Sequence, residues 1–298
     1  MRVLGKAVHT KAVKERSTAL PRFELLGKVM QNKKAKYSFV LLFIIILLGI
    51  IGPWIAPHDP LESNYEAFLQ EPSAEYWLGT DSIGRDLLSR MLHGARVTLT
   101  VAVMSVTITV VLGTVIGVTS AYLGGFIDNL LMRIMDMLLA LPGIVLALAI
   151  VAVLGPSLTN AMIAIGISSI PSFALLIRGA ALTIKSSGYV EASRSIGSSN
   201  RWIIVFQVIP NIAHVLIVYT TLFVGAAILD SSALGFIGLG AQPPTPEWGT
   251  MLNEGKGFIT EAWWLATFPG LAITLIVFVV NLLGDALRDI FDPRAASK

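Results

Sequence analysis

The stretch 189-YVEASRSIGSSNRWIIVFQVIP-210 opens polar, is broken at Gly197 and closes at Pro210, yet it lies between two long apolar runs. Upstream, no charged residue occurs from Met137 to Ile177. Downstream, Trp202–Leu229 holds no Lys, Arg, Asp or Glu, and its one ionisable side chain is His214. An apolar helix needs about 20 residues to cross the hydrocarbon core of a bilayer. Both flanks are long enough, so the polar stretch reads as a water-exposed link between two membrane spans.

The rest of the chain agrees. Of 298 residues, 54% are hydrophobic and only 14% charged, against roughly 25% charged in soluble domains; the mean hydropathy is +0.74. Further charge-free windows give a first span at 37-YSFVLLFIIILLGIIGPWIA-56, closing at Gly52-Pro53, and a second within Val97–Ile127. The window from Met137 to Ile177 is too long for one helix and contains the turn signal 154-LGPSLTN-160. It divides into spans at Met137–Val153 and Leu158–Ile177. The fifth span lies within Trp202–Leu229 and the sixth at Ala262–Gly284. The fold class is an all-α polytopic membrane protein with six transmembrane helices. The first 38 residues are polar and basic, and the first apolar run is long enough to span, so it is expected to insert and stay rather than act as a cleaved signal.

Charge sets the orientation. With the N-terminus in the cytoplasm, 18 Lys and Arg fall on the inner side and 4 on the outer, while 11 acidic residues fall outside. Cytoplasmic loops are enriched in Lys and Arg, so both termini and the 189–210 stretch are placed in the cytoplasm. The expected organisation is a basic cytoplasmic tail (1–38), a first span plus an extracytoplasmic loop (39–96), a transmembrane core with a cytoplasmic loop at 186–210 (97–285), and a C-terminal tail (286–298).

The two outer loops carry most of the remaining signal. In 78-LGTDSIGRDLLSRMLHGARVTL-99, a turn at Asp81–Gly84 precedes Leu87, Leu88, Met91, Leu92 and Ala95 at helical spacing. An amphipathic helix lying at the interface and feeding span two is expected; a direct role in solute binding is the alternative. In 230-DSSALGFIGLGAQPPTPEWGTML-252, Ala233–Ala241 is too short to span and reads as interfacial or re-entrant. Pro243, Pro244 and Pro246 stiffen an extended piece after it, and Trp248, Trp263 and Trp264 fit an aromatic belt.

Several function classes are excluded or disfavoured. With no cysteine in the chain, thiolate catalysis, disulfides and Cys-ligated metals are absent, and four scattered histidines lack metal-ligand spacing. The isoelectric point near 9.2 does not indicate nucleic acid, because the basic residues sit beside apolar runs. No phosphate-binding G-x-x-x-x-G-K-[ST] occurs, so the chain does not hydrolyse ATP itself. An ion-coupled carrier needs ionisable groups at the midplane; the spans offer His214, best read as packed near Pro210, and the polar Asn160, Asn211 and Asn281. A pathway without an energy source points to an external motor.

Read locally, Gly188–Ile196 forms about two helical turns, with Ser186 or Ser187 as caps. Gly197 suits the C′ position. Ser198, Ser199 and Asn200 can cap a second helix near Arg201, which Pro210 kinks towards the bilayer. An ordinary capped loop and a docking element fit these signals equally well. Near the other inner turn, Arg133 and Asp136 are spaced to pair on one helix face beside Asp128.

The stretch resembles the E-A-A loop of bacterial ABC importer permeases, E-A-A, three residues, G, nine residues, I-x-L-P. Glu191, Ala192, Gly197 and Pro210 match, Ser193 replaces the second alanine, and Gln207 and Ile209 replace the isoleucine and leucine. The segments 78-LGTDSIGRDLLSR-90, 124-GGFIDNLLMRIMD-136 followed by Pro142, 233–252 and 281-NLLGDALRDIFDPR-294 resemble the second ("C-type") permease of the dipeptide, oligopeptide and nickel branch. The likeness runs from about Lys28 to Arg294.

The resemblance implies a type I importer permease fold in the bacterial plasma membrane. It implies a homologous second permease as heterodimer partner, two cytoplasmic ATPase subunits that hold the ATP and Mg, and an extracytoplasmic solute-binding protein. No cofactor or metal is expected in this chain. Tyr189, Glu191, Ala192, Ser193, Arg194, Gly197 and Ser198 would form the coupling helix seated on an ATPase, with Pro210 as the kink. Asp81, Arg85, Asp86, Pro243, Pro244 and Trp248 are candidate outer-gate or binding-protein contacts. Small peptides lead as substrate. Nickel, metal chelates and glutathione share the branch, and an ion-driven carrier is the rival from another class.

Overall fold

α1 (Lys33–Ile55) begins where the Asn32 side chain accepts a hydrogen bond from the Ala35 amide, and it carries Pro53 in its last turn. Its 23 residues reach about 35 Å at 1.5 Å per residue, enough to span. The computed structural model describes residues 32–291; the outer parts of both expected tails, 1–31 and 292–298, lie outside the described residues.

α2 (Leu87–Leu123) is one helix of 37 residues, capped where Asp86 accepts from the Ser89 amide. The helix expected to lie separately at the interface is therefore the opening of span two. Arg90, in its first turn, is turned into the protein. Gly124, with φ +68°, stops α2, and the chain turns into α3 (Gly125–Leu139).

The third expected span is not one helix. α3 and α4 (Gly143–Leu154) meet at 89° across Ala140–Pro142. Pro142 has no amide hydrogen to continue α3 and disfavours helical geometry at Leu141. α4 alone has 12 residues, about 18 Å, short of the roughly 30 Å core.

α5 (Leu158–Lys185) is capped by Ser157 and runs past the expected end at Ile177, carrying Arg178 and Lys185. α6 (Gly188–Ser195) and α7 (Asn200–Ile203) follow. A π turn at Ile204–Val208 and the short α8 (Ile209–Asn211) lead into α9 (Ala213–Phe236). α9 extends beyond the expected Leu229. It takes in Asp230 and the start of the glycine-rich segment that was expected to be interfacial or re-entrant. α10 (Trp248–Gly255) and α11 (Trp264–Phe291) complete the described chain.

Among the described residues, five helices, α1, α2, α5, α9 and α11, are long and apolar enough to cross a membrane; the bent α3–α4 pair makes a sixth crossing if counted as one. α2 and α5 share the largest helix contact. Gly113 and Gly117, one turn apart on α2, admit Phe173, Ala174 and Ile177 of α5. Thr109 donates to the Gly166 carbonyl at 2.9 Å and Ser105 to that of Met162 at 3.0 Å. Small residues and hydroxyl bonds replace the hydrophobic effect, which does not draw helices together in lipid.

Candidate functional site

The 189–210 stretch folds as a helix, a corner and a second helix. α6 ends in a paired carbonyl cap. The Ser198 amide donates to the Ser193 carbonyl and the Gly197 amide to that of Arg194, both at 3.0 Å. This geometry requires a left-handed residue at C′, and Gly197 supplies it with φ +86°. Ser187 occupies the N-cap position but its hydroxyl donates backward to the Ile184 carbonyl instead of capping. Ser199 caps α7 by accepting from the Trp202 amide.

One face of α6 is anchored. Val190 is fully buried in a cluster with Tyr122, Ile203 and Val208. The Tyr122 hydroxyl donates to the Asn200 side chain at 3.1 Å, and Arg194 lies over the Tyr122 ring. Lys185 donates to the Ala121 carbonyl at 2.9 Å. The end of α2 thus holds both sides of the corner. The other face is open. Tyr189, Glu191, Ala192 and Gly197 are exposed, and Ile196 at the corner is 83% exposed; Arg194, though exposed, lies at the edge of the anchored face. Ser193 and Ser198 are half-buried.

Below α6 the helix is irregular on both sides of Pro210, with the π turn before it and a break at Ile212 after it. A second brace lies at the same end. Arg178 of α5 makes two 2.7 Å hydrogen bonds to Asp128 of α3, and Ser120 of α2 donates to the same carboxylate. The expected Arg133–Asp136 pair does not form; Asp128 is the carboxylate that pairs, because α5 runs on far enough to bring Arg178 to it.

At the opposite end, most of the candidate partner contacts prove to be internal. Asp81, Arg85, Asp86 and Trp248 are all buried. Arg85 bonds Asp81 at 2.6 Å and Glu254 at 3.2 Å, and Arg90 bonds Glu254 at 2.6 Å. These pairs join the loop before α2, and α2 itself, to α10. The Trp248 indole donates to the Met91 carbonyl and the Trp264 indole to that of Thr80. Of the expected aromatic belt, only Trp263 is exposed. Gly249 lies so close to α9 that a Cβ there would sit 2.4 Å from the Ser232 carbonyl oxygen. Glu247 caps α10 through the Thr250 amide at 2.9 Å, and burial pushes its carboxyl up from the ordinary range. Pro243 and Pro244 remain exposed.

Residues 113–297 match the family model of the binding-protein-dependent transport system inner membrane component, and residues 26–72 match that of the N-terminal TM domain of oligopeptide transport permease C. The chain belongs to this family of inner-membrane transport components. The permease is 44% identical over 280 residues to the di/tripeptide transport system permease protein DppC of Pseudomonas aeruginosa, covering 92% of each chain. It is 43% identical to the dipeptide transport system permease protein DppC of Alkalihalophilus pseudofirmus, over 93% of this chain and 91% of that one. It is 42% identical to the glutathione transport system permease protein GsiD of Escherichia coli, over 95% and 93%. The inward-facing MetNI methionine ABC transporter superposes with a TM-score of 0.56 at 18% identity, over 67% of this permease and 96% of that chain; this likeness establishes the ABC importer permease fold.

The permease is therefore a multi-pass inner-membrane protein and a transport component rather than an enzyme. Two of its site residues escape the sequence reading. Ile196 was legible only as the residue before the corner, and nothing local showed that it would stand clear of the bundle. Gln207 looked like a neutral departure from the E-A-A pattern. In the fold its amide donates to the Ser193 hydroxyl at 2.6 Å, so the departures at Ser193 and Gln207 are two halves of one contact.

Proposed function

We propose that this permease is one half of the transmembrane channel of an ATP-driven importer of small peptides, and that α6 is its coupling helix. The observation that carries this is the two-sided character of α6. One face is fixed to the end of α2 by Val190, Tyr122 and Arg194, and the other presents Tyr189, Glu191, Ala192 and Ile196 with nothing against them among the described residues. Such a helix transmits a push instead of absorbing it. An ATPase subunit that seats the open face would move α6, and α6 would move α2 and the irregular helix above Pro210 together.

In this reading the α6 end is cytoplasmic, as are the two tails, following the 18-to-4 distribution of Lys and Arg. Two ATPase subunits supply ATP and Mg, a homologous second permease completes the pathway, and a binding protein delivers the peptide at the opposite end. Pro243 and Pro244 are the candidates left to touch that protein. Asp81, Arg85, Asp86 and Trp248 act by holding the loops in shape. ATP-driven closure of the ATPases draws the coupling helices together and opens the path outward. The substrate follows the relatives named for dipeptides and tripeptides; glutathione, itself a tripeptide, is the second reading, favoured by the likeness to GsiD.

Glu191→Lys and Gly197→Val test the assignment in the assembled importer. Both are expected to abolish peptide uptake and ATPase docking while the permease still inserts. Normal uptake by both variants would exclude α6 as the coupling helix.

A further inference from the structure

α9 carries one exposed stripe along its outer half, formed by Ala226, Leu229, Ala233, Phe236 and Ile237, at helical spacing. Asp230 lies at its edge, beside the buried Ala227 and Leu234. The carboxylate is half-buried and has no hydrogen-bond or ion-pair partner among the described residues. It lies six residues from the last residue of α9, about 9 Å along the axis. Centred on the roughly 30 Å core, a 24-residue helix overreaches it by only a few ångströms at each end, and this placement puts Asp230 at the depth of the hydrocarbon.

A carboxylate there does not face lipid. Its cost of about 2.5–3.5 kcal/mol or more in apolar surroundings restricts such groups to bundle interiors and water-filled cavities. The face of α9 that packs inside this chain runs through Gly225, Ile228, Ser231 and Ser232, and Ala227 and Leu234 at its border cover one side of the carboxylate. The open side of Asp230 is therefore assigned to a wet space rather than to lipid. Ala226 and Ala233, one turn to either side, leave room beside the carboxylate for a ligand group.

We propose that Asp230 lines the translocation path and binds the α-ammonium group of the passing peptide. The proposal rests on the peptide-import reading. Every unmodified linear peptide carries one α-ammonium whatever its side chains, so a single carboxylate recognises the class without choosing a sequence. Charge complementarity favours this occupant, and exposure to water on one side keeps the contact weak enough to release.

The test uses the complete importer in proteoliposomes with loaded binding protein and dialanine as the probe. Asp230→Asn is expected to assemble and to keep binding-protein-stimulated ATP hydrolysis, while dialanine import falls about tenfold or more, the scale of one charge-assisted hydrogen bond. Asp230→Glu should import close to wild type. Because the chain has no cysteine, Asp230→Cys gives it a single thiol. That thiol should react with a water-soluble trimethylammonium methanethiosulfonate and be protected by dialanine. Wild-type import by Asp230→Asn would overturn the proposal. So would an unreactive thiol, or loss of the sister permease from the Asp230→Asn complex, which would make the carboxylate an assembly contact. A wild-type complex that imports no peptide would instead refute the import reading, and the ammonium assignment with it.

Discussion

Gln207 and Ser193 meet at 2.6 Å, the amide of the π turn donating to the hydroxyl of α6. The Ser193 hydroxyl in turn donates to the Tyr189 carbonyl one turn back. A conformational irregularity in the membrane helix is thereby tied to α6 by a side chain. If this strap carries movement, Ser193→Ala and Gln207→Ala each lower peptide uptake per ATP hydrolysed, and the double variant is no worse than either single one. Each single change costs about 1 kcal/mol of stability, so thermal unfolding should shift little. Additive losses in uptake would show that the two residues act separately.

Asp128 and Arg178 pin α3 to α5 at the α6 end of the bundle, with two 2.7 Å bonds from one guanidinium. Their side chains are partly exposed, which tempers the energy. Asp128→Ala or Arg178→Ala should destabilise the permease by about 1–3 kcal/mol, read as a lower Tm in detergent. Arg178→Lys should recover only part of the loss, because an ammonium cannot form the paired contact.

At the opposite end the ion cluster is structural. Arg90 is 1% exposed and Glu254 is shared between Arg85 and Arg90. Arg90→Ala leaves Arg85 alone against the two carboxylates of Asp81 and Glu254, and about 3 kcal/mol of destabilisation is expected. The measurable result is loss of folded permease from the membrane. A well-folded Arg90→Ala complex with weakened affinity for its binding protein would place Arg90 at a docking surface instead.

Glu247 predicts a pH dependence. Burial raises its carboxyl above the ordinary 4.5. The folded state thus holds the proton more tightly than the unfolded one. The stabilisation is complete below about pH 4.5 and is lost as pH rises through the raised folded value. Glu247→Gln keeps an acceptor for the Thr250 amide and does not titrate. The wild type should lose Tm relative to this variant on going from pH 4.5 towards neutrality. Parallel Tm curves would show that Glu247 is ionised in the fold.

The spans and the corner at Gly197 were legible because their signals are local. Charge-free windows locate helices in lipid, and Gly197, followed by the cap residues Ser198 and Ser199, marks a helix end. The break at Ala140–Pro142 was written at Pro142, but the apolar run that continues across it, Met137–Val153, hid it. The outer loops misled for a different reason. Arg85, Arg90 and Trp248 have the composition of an interfacial surface, and only the return of α10, some 160 residues later, brings Glu254 to the two arginines and Trp248 to the Met91 carbonyl. Asp230 was missed because the glycines at 235, 238 and 240 suggested a loop. Gly235 in fact lets α10 pack against α9 without breaking the helix at Asp230.

Site-specific cross-linking tests the central claim most directly. With no native cysteine in the chain, Glu191→Cys and Ile196→Cys each place a single thiol on the open face of α6. In the assembled importer, both should cross-link to an ATPase subunit, and the yield should change between the ATP-bound and nucleotide-free states. A thiol at Trp263, exposed at the other end, should give no such product. If the α6 thiols remain unlinked in an importer that still transports, the ATPases dock elsewhere and α6 is not the coupling helix.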